Sequence, residues 1–128
     1  MKRLTPLLLA LLLAGCSSAP AKFRGQLVEN GQPMKVPATT LAIEVNALTE
    51  DGKLDPAKLY PAVVNEDGSF EVVAGGGTLP LGKYAIAIQA TGKYQTQLKR
   101  FAPGTSPIRR EIKPGTNEIT IDVARPEG

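Results

Sequence analysis

The feature that most constrains the fold of this chain is an apolar side chain at every second residue, repeated in segment after segment. A period of two places these side chains on one face of a β-strand, where they pack against a second layer. The rows run over Phe23–Leu27, Leu41–Ala47, Phe70–Val72, Tyr84–Ala90, Ile108–Ile112 and Ile119–Val123. They predict an all-β fold, and their number and spacing predict a β-sandwich of seven short strands.

Turn residues separate these rows. Asn30-Gly31, Asp51-Gly52, Asp67-Gly68 and Pro114-Gly115 are the clearest turn signals in the sequence. Lys113–Thr116 predicts a hairpin between the rows on either side of it. Asp55–Tyr60 predicts one helical turn, because Asp55 suits an N-cap and Pro56 suits the first helical position. No other segment has a helical period.

A basic and apolar leader precedes the strands. Lys2 and Arg3 are followed by an apolar run of about ten residues, half of the roughly twenty that a membrane-spanning helix needs. Ala14 and Gly15 then stand before Cys16. Small residues before a cysteine resemble the lipobox of bacterial lipoprotein signals, in which the thiol is lipidated before cleavage. We therefore expect cleavage between Gly15 and Cys16 and lipidation of Cys16; the alternative is an ordinary secretory signal.

The expected organisation is a signal peptide over residues 1–15, a lipidated N-terminus and linker over 16–22, a β-sandwich domain over 23–124 and a tail over 125–128. Ser17–Lys22 spans at most roughly 20 Å when extended, so the domain is expected close to the membrane. The expected location is the cell envelope, with the lipid as the membrane anchor. Because Ser17 rather than Asp follows Cys16, similarity to lipoprotein sorting in bacteria with two membranes favours the outer membrane, facing the periplasm.

Composition excludes several classes of function. The chain has no His, which excludes imidazole general bases and His-based zinc sites, and no Trp on which sugars would stack. Cys16 is the single cysteine, so the chain cannot form an internal disulfide. Without Lys2 and Arg3, thirteen of the fifteen basic side chains remain against twelve acidic ones. This balance does not indicate a nucleic-acid partner, and no metal or cofactor is expected.

Three motifs lie at Gly25–Pro33, Asn65–Phe70 and Leu79–Tyr84. They resemble, in turn, the G-x-V-x-x-x-G-x-P opening, the D-x-D-G-x-F hairpin and the L-P-x-G-x-Y segment of carboxypeptidase regulatory-like, transthyretin-like domains, with Asn65 in place of the usual first residue of the hairpin motif. The resemblance implies a seven-stranded Greek-key sandwich. The residues that it implies as makers of the fold are Asp67, Gly68, Phe70, Gly82 and Tyr84.

In the carboxypeptidases of that family, this module accompanies a separate zinc catalytic domain. The related hydrolases of purine catabolism use His and Arg, and this chain has no His. We therefore expect a chain that is not an enzyme but a binding or structural module. Its candidate partner is an envelope protein, contacted through sheet edges or loops. The alternatives are a carbohydrate-binding accessory domain and a hydrolase that works without His; the oligomeric state stays open.

Further groups of residues admit two readings each. The acidic loops Glu50–Asp55 and Glu66–Asp67 lack the spacing of a calcium loop, and turn chemistry explains them better. Tyr60, Tyr94 and Phe101 either cover the ends of the sandwich or form a small recognition patch. Six basic residues either meet anionic headgroups or belong to a solvated surface. They are Lys22, Arg24, Lys99, Arg100, Arg109 and Arg110.

Overall fold

The computed structural model describes residues 20–37, 39–72 and 74–125. The strands are β1 (Ala21–Glu29), β2 (Gln32–Pro33), β3 (Leu41–Leu48), β4 (Leu54–Val64), β5 (Ser69–Val72), β6 (Thr78–Leu79), β7 (Gly82–Ala90), β8 (Ile108–Ile112) and β9 (Thr116–Asp122). Three short helical elements accompany them: the 3-10 turns Ala74–Gly77 and Lys99–Phe101, and helix α1 (Lys93–Gln97). The prediction of an all-β chain is confirmed. The described residues form nine strands where seven were predicted, and two of the nine, β2 and β6, have two residues each.

The strands form one curled sheet in the order β2-β1-β5-β4-β3-β7-β8, with β6 and β9 also paired to β1. One edge of β1 meets β6, β5 and β2 in succession, and its other edge meets β9. Every pairing is antiparallel except that of β1 with β9, which is parallel. The sheet curls around β1, so that its inner face encloses one hydrophobic core.

The core is built from the rows of period two that the sequence shows. Phe23 and Phe70 pack with their ring centroids 6.0 Å apart, and Tyr60 meets Tyr84 edge-on at 6.1 Å. Burying a large apolar side chain completely contributes about 1.5–3 kcal/mol, so these rows dominate the stability of the fold. The largest fully buried side chains are Tyr84, Phe23, Phe70, Phe101, Leu27, Ile43, Ile86, Ile88, Leu98, Ile108, Ile112 and Ile121.

The helical turn predicted at Asp55–Tyr60 is wrong, because the segment belongs to β4. The side chain of Asp55 does accept a hydrogen bond from the backbone N–H of Ala57, at 3.0 Å, as an N-cap residue would. The pairing of β3 with β4 shifts register here, so Pro56 lies in the irregular part of the ladder. The fixed φ of proline suits an extended chain as well as a helix start, so the Asp55-Pro56 pair does not distinguish a strand from a helical turn.

The hairpin predicted at Lys113–Thr116 is also wrong. β8 pairs with β7, whereas β9 pairs with β1 in parallel, so the turn carries the chain from one part of the curled sheet to another. The Asn117 side chain organises this turn. Its Oδ1 accepts from the N–H of Lys113 at 3.0 Å, and its Nδ2 donates to the carbonyl oxygens of Lys113 at 2.8 Å and Lys22 at 3.1 Å.

The connection from β7 to β8 holds helical structure that the sequence rows did not predict. It contains α1 and the 3-10 turn at Lys99–Phe101, and it buries Tyr94, Leu98 and Phe101 in the core. Tyr94 and Phe101 therefore pack on the core, as the first of the two readings predicts. Ser106 fixes the end of the connection, since its hydroxyl donates to the carbonyl oxygen of Ile86.

The strand directions define two ends of the domain. The proximal end is where β1 begins at Ala21; it includes the β6–β7 bend, the β8–β9 turn and the β3–β4 turn. The distal end includes the Asn30-Gly31 turn, the β4–β5 turn and α1. None of the helices in the described part of the chain is long and apolar enough to cross a bilayer.

Candidate functional site

The structure does not describe the predicted modification site. Gly15 and Cys16, the expected cleavage and lipidation positions, lie outside the described residues, as do the rest of the expected signal peptide and most of the linker. The described chain begins at residue 20, directly before β1. Whatever precedes it therefore joins the domain at the proximal end.

The turn between β4 and β5, together with the start of β5, carries three of the motif residues. The carboxylate of Asp67 accepts hydrogen bonds from the hydroxyl and the backbone N–H of Ser69, at 2.6 and 3.0 Å. These two bonds lower the pKa of Asp67 below its ordinary value. Gly68 has φ of +83°, and a Cβ there would lie 2.5 Å from the carbonyl oxygen of Met34. Phe70 is buried in the core.

Gly82 and Tyr84 lie at the proximal end. Gly82 has φ of +146°, which bends the chain into β7. The Tyr84 hydroxyl donates to the carbonyl oxygen of Pro80 at 2.6 Å. Burial, and then the neighbouring Tyr60, raise the pKa of Tyr84 to about 12. The two motif groups therefore stand at different ends of the domain, and each acts on a bend and on the core beside it.

The distal end carries a groove of about 400 Å³. One wall is α1, where the Lys93 ammonium lies 5.1 Å from the centre of the Tyr94 ring. The Gln97 amide crosses the groove and donates to the Glu29 carboxylate at 2.7 Å. The residues that line this groove are Glu29, Gln32, Pro33, Met34, Lys35, Lys93, Tyr94 and Gln97.

A second groove, of about 660 Å³, adjoins the first, because Lys35 and Tyr94 line both. Its other walls are Val36, Pro37 and the β4–β5 turn with Glu66 and Asp67. We name the two together the distal groove. The distal groove is lined by the ammonium groups of Lys35 and Lys93 and by the carboxylates of Glu29, Glu66 and Asp67, which suits a polar ligand or peptide bearing both charges. Sequence reasoning missed this surface because its residues come from four separate segments.

The six basic residues identified in the sequence do not form one patch. Arg24 pairs with Glu118 on the outer face of β1 and β9. Arg100 donates to the carbonyl oxygens of Val123 and Arg125, and so holds the 3-10 turn against the end of β9. The guanidinium groups of Arg109 and Arg110 donate to nearby backbone carbonyl oxygens. Most of these cations therefore have structural partners of their own.

The acidic loops also stay apart. The turn with Glu50 and Asp51 lies at the proximal end, and the turn with Glu66 and Asp67 at the distal end. Across residues 20–37, 39–72 and 74–125, no three carboxylate or thiol side chains come together as metal ligands would. In the same residues, every buried polar side-chain atom has a hydrogen-bond partner.

Comparison with known proteins finds similarity in structure but none in sequence family. No family model matches the chain, and no curated protein matches it. Among solved structures the chain is similar to the crystal structure of (S)-allantoin synthase, with a TM-score of 0.48 and 18% identical residues. The match covers 84% of this chain and 42% of that one, so this chain spans less than half of that protein's length.

This comparison contradicts the prediction that the chain is not an enzyme, because the matched structure is that of an enzyme. The prediction is withdrawn. It rested on the lack of a recognisable catalytic set in the sequence. The absence of His excludes imidazole chemistry only, and carboxylate, lysine and tyrosine side chains remain. A likeness of this size carries no argument for a particular reaction or substrate.

Proposed function

We propose that this chain is a lipid-anchored protein of the bacterial cell envelope that acts as a binding or structural module. The observation that carries the proposal is the leader: two basic residues, a short apolar run, and Ala14-Gly15 directly before Cys16. An apolar run of about ten residues is too short to span a bilayer, which favours a cleaved signal over a spanning helix. Acyl chains on Cys16 would then be the anchor, since two or three of them hold a protein on a membrane essentially permanently.

We further propose that the curled sheet is the Greek-key sandwich of the transthyretin-like, carboxypeptidase regulatory-like family. The three motifs at Gly25–Pro33, Asn65–Phe70 and Leu79–Tyr84 support this assignment. If the two-residue strands β2 and β6 are set aside, seven strands remain, which is the number that the family resemblance implies. Such folds serve many unrelated functions, so the role of this chain must come from its surface.

The distal groove is the surface on which we place the binding function. It lies at the opposite end from Ala21, where the chain from Cys16 enters the domain, so a membrane anchor leaves it open to the periplasm. Its partner is an envelope protein that presents a segment with both charges. The expected location is the outer membrane, facing the periplasm, in a host with two membranes.

Crosslinking in the native host tests this function. The wild-type protein should recover a specific envelope protein, and the double variant Lys35→Glu, Lys93→Glu should lose it. Lys58→Glu is the matched control, because Lys58 is an exposed lysine of β4 that does not line the distal groove. Recovery of no partner under mild crosslinking, or equal recovery with both variants, would contradict binding through this groove.

A further inference from the structure

The proximal end of the domain holds an exposed leucine beside the start of β1. The Leu81 residue is 52% exposed and stands two residues after Leu79, which pairs with Ala21. The bend around it is fixed, because the Tyr84 hydroxyl donates to the carbonyl oxygen of Pro80 and Gly82 has φ of +146°. Leu81 is therefore held out into solvent by a rigid backbone, at the point where the N-terminal chain leaves the domain.

Three exposed lysines share this corner of the proximal end. Lys22 lies opposite Thr116 at the start of β9, and its N–H donates to the carbonyl oxygen of Gly115 at 2.9 Å. Lys113 begins that same turn, and Lys83 follows the Leu81 bend by two residues. Within the described ranges, none of these three lysines forms an ion pair, although Glu111 stands opposite Lys83 in the ladder of β7 with β8.

We propose that this corner, defined by Leu81, Lys22, Lys83 and Lys113, docks on an anionic lipid surface. The inference rests on the proposed function, since it takes Cys16 as the point of membrane attachment. Five residue steps separate Cys16 from Ala21, which is at most about 18 Å of extended chain. The corner therefore stays beside the headgroups whichever way the domain tilts. Leu81 enters the headgroup layer, and the ammonium groups contact lipid phosphates.

The charges at the rest of the proximal end set the direction of tilt. The β3–β4 turn carries Glu50 and Asp51, with Lys53 paired to Asp51 at 3.8 Å. This turn lies beside the start of β7, because Gly52 and Lys83 line one groove, so its carboxylates adjoin the corner on the β7 side. The part of the corner that contacts the membrane first therefore holds Lys22 and Lys113, and the distal groove, at the opposite end of the domain, faces away from the membrane.

A single tryptophan tests the docked orientation, because the chain has no Trp of its own. The full-length protein is expressed as Leu81→Trp, purified from membranes and reconstituted into vesicles of phosphatidylethanolamine and phosphatidylglycerol that contain brominated lipid. The matched control is Val63→Trp, since Val63 is 63% exposed on the outer face of β4 near the distal end. We expect blue-shifted emission and bromine quenching for Leu81→Trp and neither for Val63→Trp.

The lysines are tested by charge removal in the same assay. A lysine near an anionic surface contributes about a fivefold change in affinity, so Lys22→Gln, Lys83→Gln and Lys113→Gln together should lower the docked-to-undocked ratio by about a hundredfold. Hydrogen exchange of the wild-type protein on vesicles supplies a measurement that needs no variant. It should show added protection at residues 80–83 and 113–116, and none at 65–68.

Two preparations separate failure of docking from failure of the anchor. Intact mass of the membrane-purified protein shows whether Cys16 is acylated, and this alone decides the proposed anchor. A second preparation couples the thiol of Cys16, in the chain that begins at that residue, to a maleimide phospholipid, so the tether is present in either case. If the coupled protein gives equal quenching at residues 81 and 63, or protection at 65–68 instead of 80–83, the proposed orientation is refuted.

Discussion

Gly25 lies where the core leaves no room for a side chain, and replacing it by alanine is the sharpest test of the packing. It belongs to the inward-facing row of β1, between Phe23 and Leu27. A Cβ at this position would lie 2.4 Å from the tip of the Phe70 ring and 2.5 Å from the carbonyl oxygen of Ile119. The ring can turn only slightly in a packed core, and the carbonyl belongs to β9, which pairs with β1 along its length.

The sign of the effect follows from comparing two terms. In a strand without steric conflict, Gly25→Ala would stabilise the fold by about 0.5–1 kcal/mol, because alanine restricts the unfolded chain. Overpacking a closed core costs about 1–3 kcal/mol, and here one of the two contacts is with backbone that cannot move alone. We expect a net loss of about 2 kcal/mol in the free energy of unfolding, which lowers the melting temperature of a domain of this size by about 10 °C.

The assay is urea and thermal unfolding of the chain from residue 16 with Cys16→Ser, with and without Gly25→Ala. The control is the double variant Gly25→Ala, Phe70→Leu, because Phe70→Leu removes the ring contact but leaves the contact with Ile119. The loss in the free energy of unfolding of this double variant should be smaller than the sum of the two single losses by about 1 kcal/mol. If Gly25→Ala is as stable as the parent, or the two losses simply add, the reasoning about this contact is refuted.

Three further predictions use the same unfolding assays. Gly68→Ala should cost more stability than Gly31→Ala: both positions have φ near +80°, but only Gly68 has backbone within 3 Å of the added Cβ, and equal losses would contradict this. Burial raises the pKa of Tyr84 to about 12 from its ordinary value near 10, so stability that is fully present below pH 10 is lost as the pH rises towards 12; Tyr84→Phe should flatten this alkaline decline. The lowered pKa of Asp67 stabilises the fold above the ordinary carboxyl pKa and is lost as the pH falls through the folded value; Asp67→Asn should be less sensitive to acid over that range, and an unchanged acid profile would contradict the role of its bonds to Ser69.

The strands were predictable because burial on one face imposes a period of two that is visible locally. The rows Leu41–Ala47 and Tyr84–Ala90 are strands β3 and β7, paired in register from Leu41 opposite Ala90 to Ala47 opposite Tyr84. Their inward residues are those that the alternation selects. No tertiary information was needed to find them.

Strand partners were not predictable in the same way. The Pro114-Gly115 turn shows that the chain changes direction, but not that β9 then pairs with β1, over ninety residues away in sequence. The role of Gly25 was not predictable for the same reason. Phe70 and Ile119 leave no room for a side chain at this position, and only the fold shows that they contact it. Helix α1 was missed for a different reason, because five residues are too few to establish a helical period.

The distal groove could not be predicted from the sequence, because its residues meet only in the fold and come from short segments. Its residues come from the end of β1, from β2 and the segment after it, from the β4–β5 turn and from α1. The motifs Gly25–Pro33 and Asn65–Phe70 contribute to it, but in the sequence they indicate the fold and not a binding surface. Tyr94 was singled out in the sequence as an aromatic of uncertain place, but only the fold shows that it packs on the core and also lines the groove. Surfaces assembled from loops depend on the fold as a whole, so their residues cannot be grouped before the topology is known.

Intact mass spectrometry of the protein extracted from its native membrane decides whether Cys16 carries the lipid anchor. We expect a chain that begins at Cys16, without residues 1–15, and carries the added mass of two or three acyl chains on that residue. A product that retains the leader, or begins at Cys16 with a free thiol and amine, would contradict the anchor and with it the proposed location.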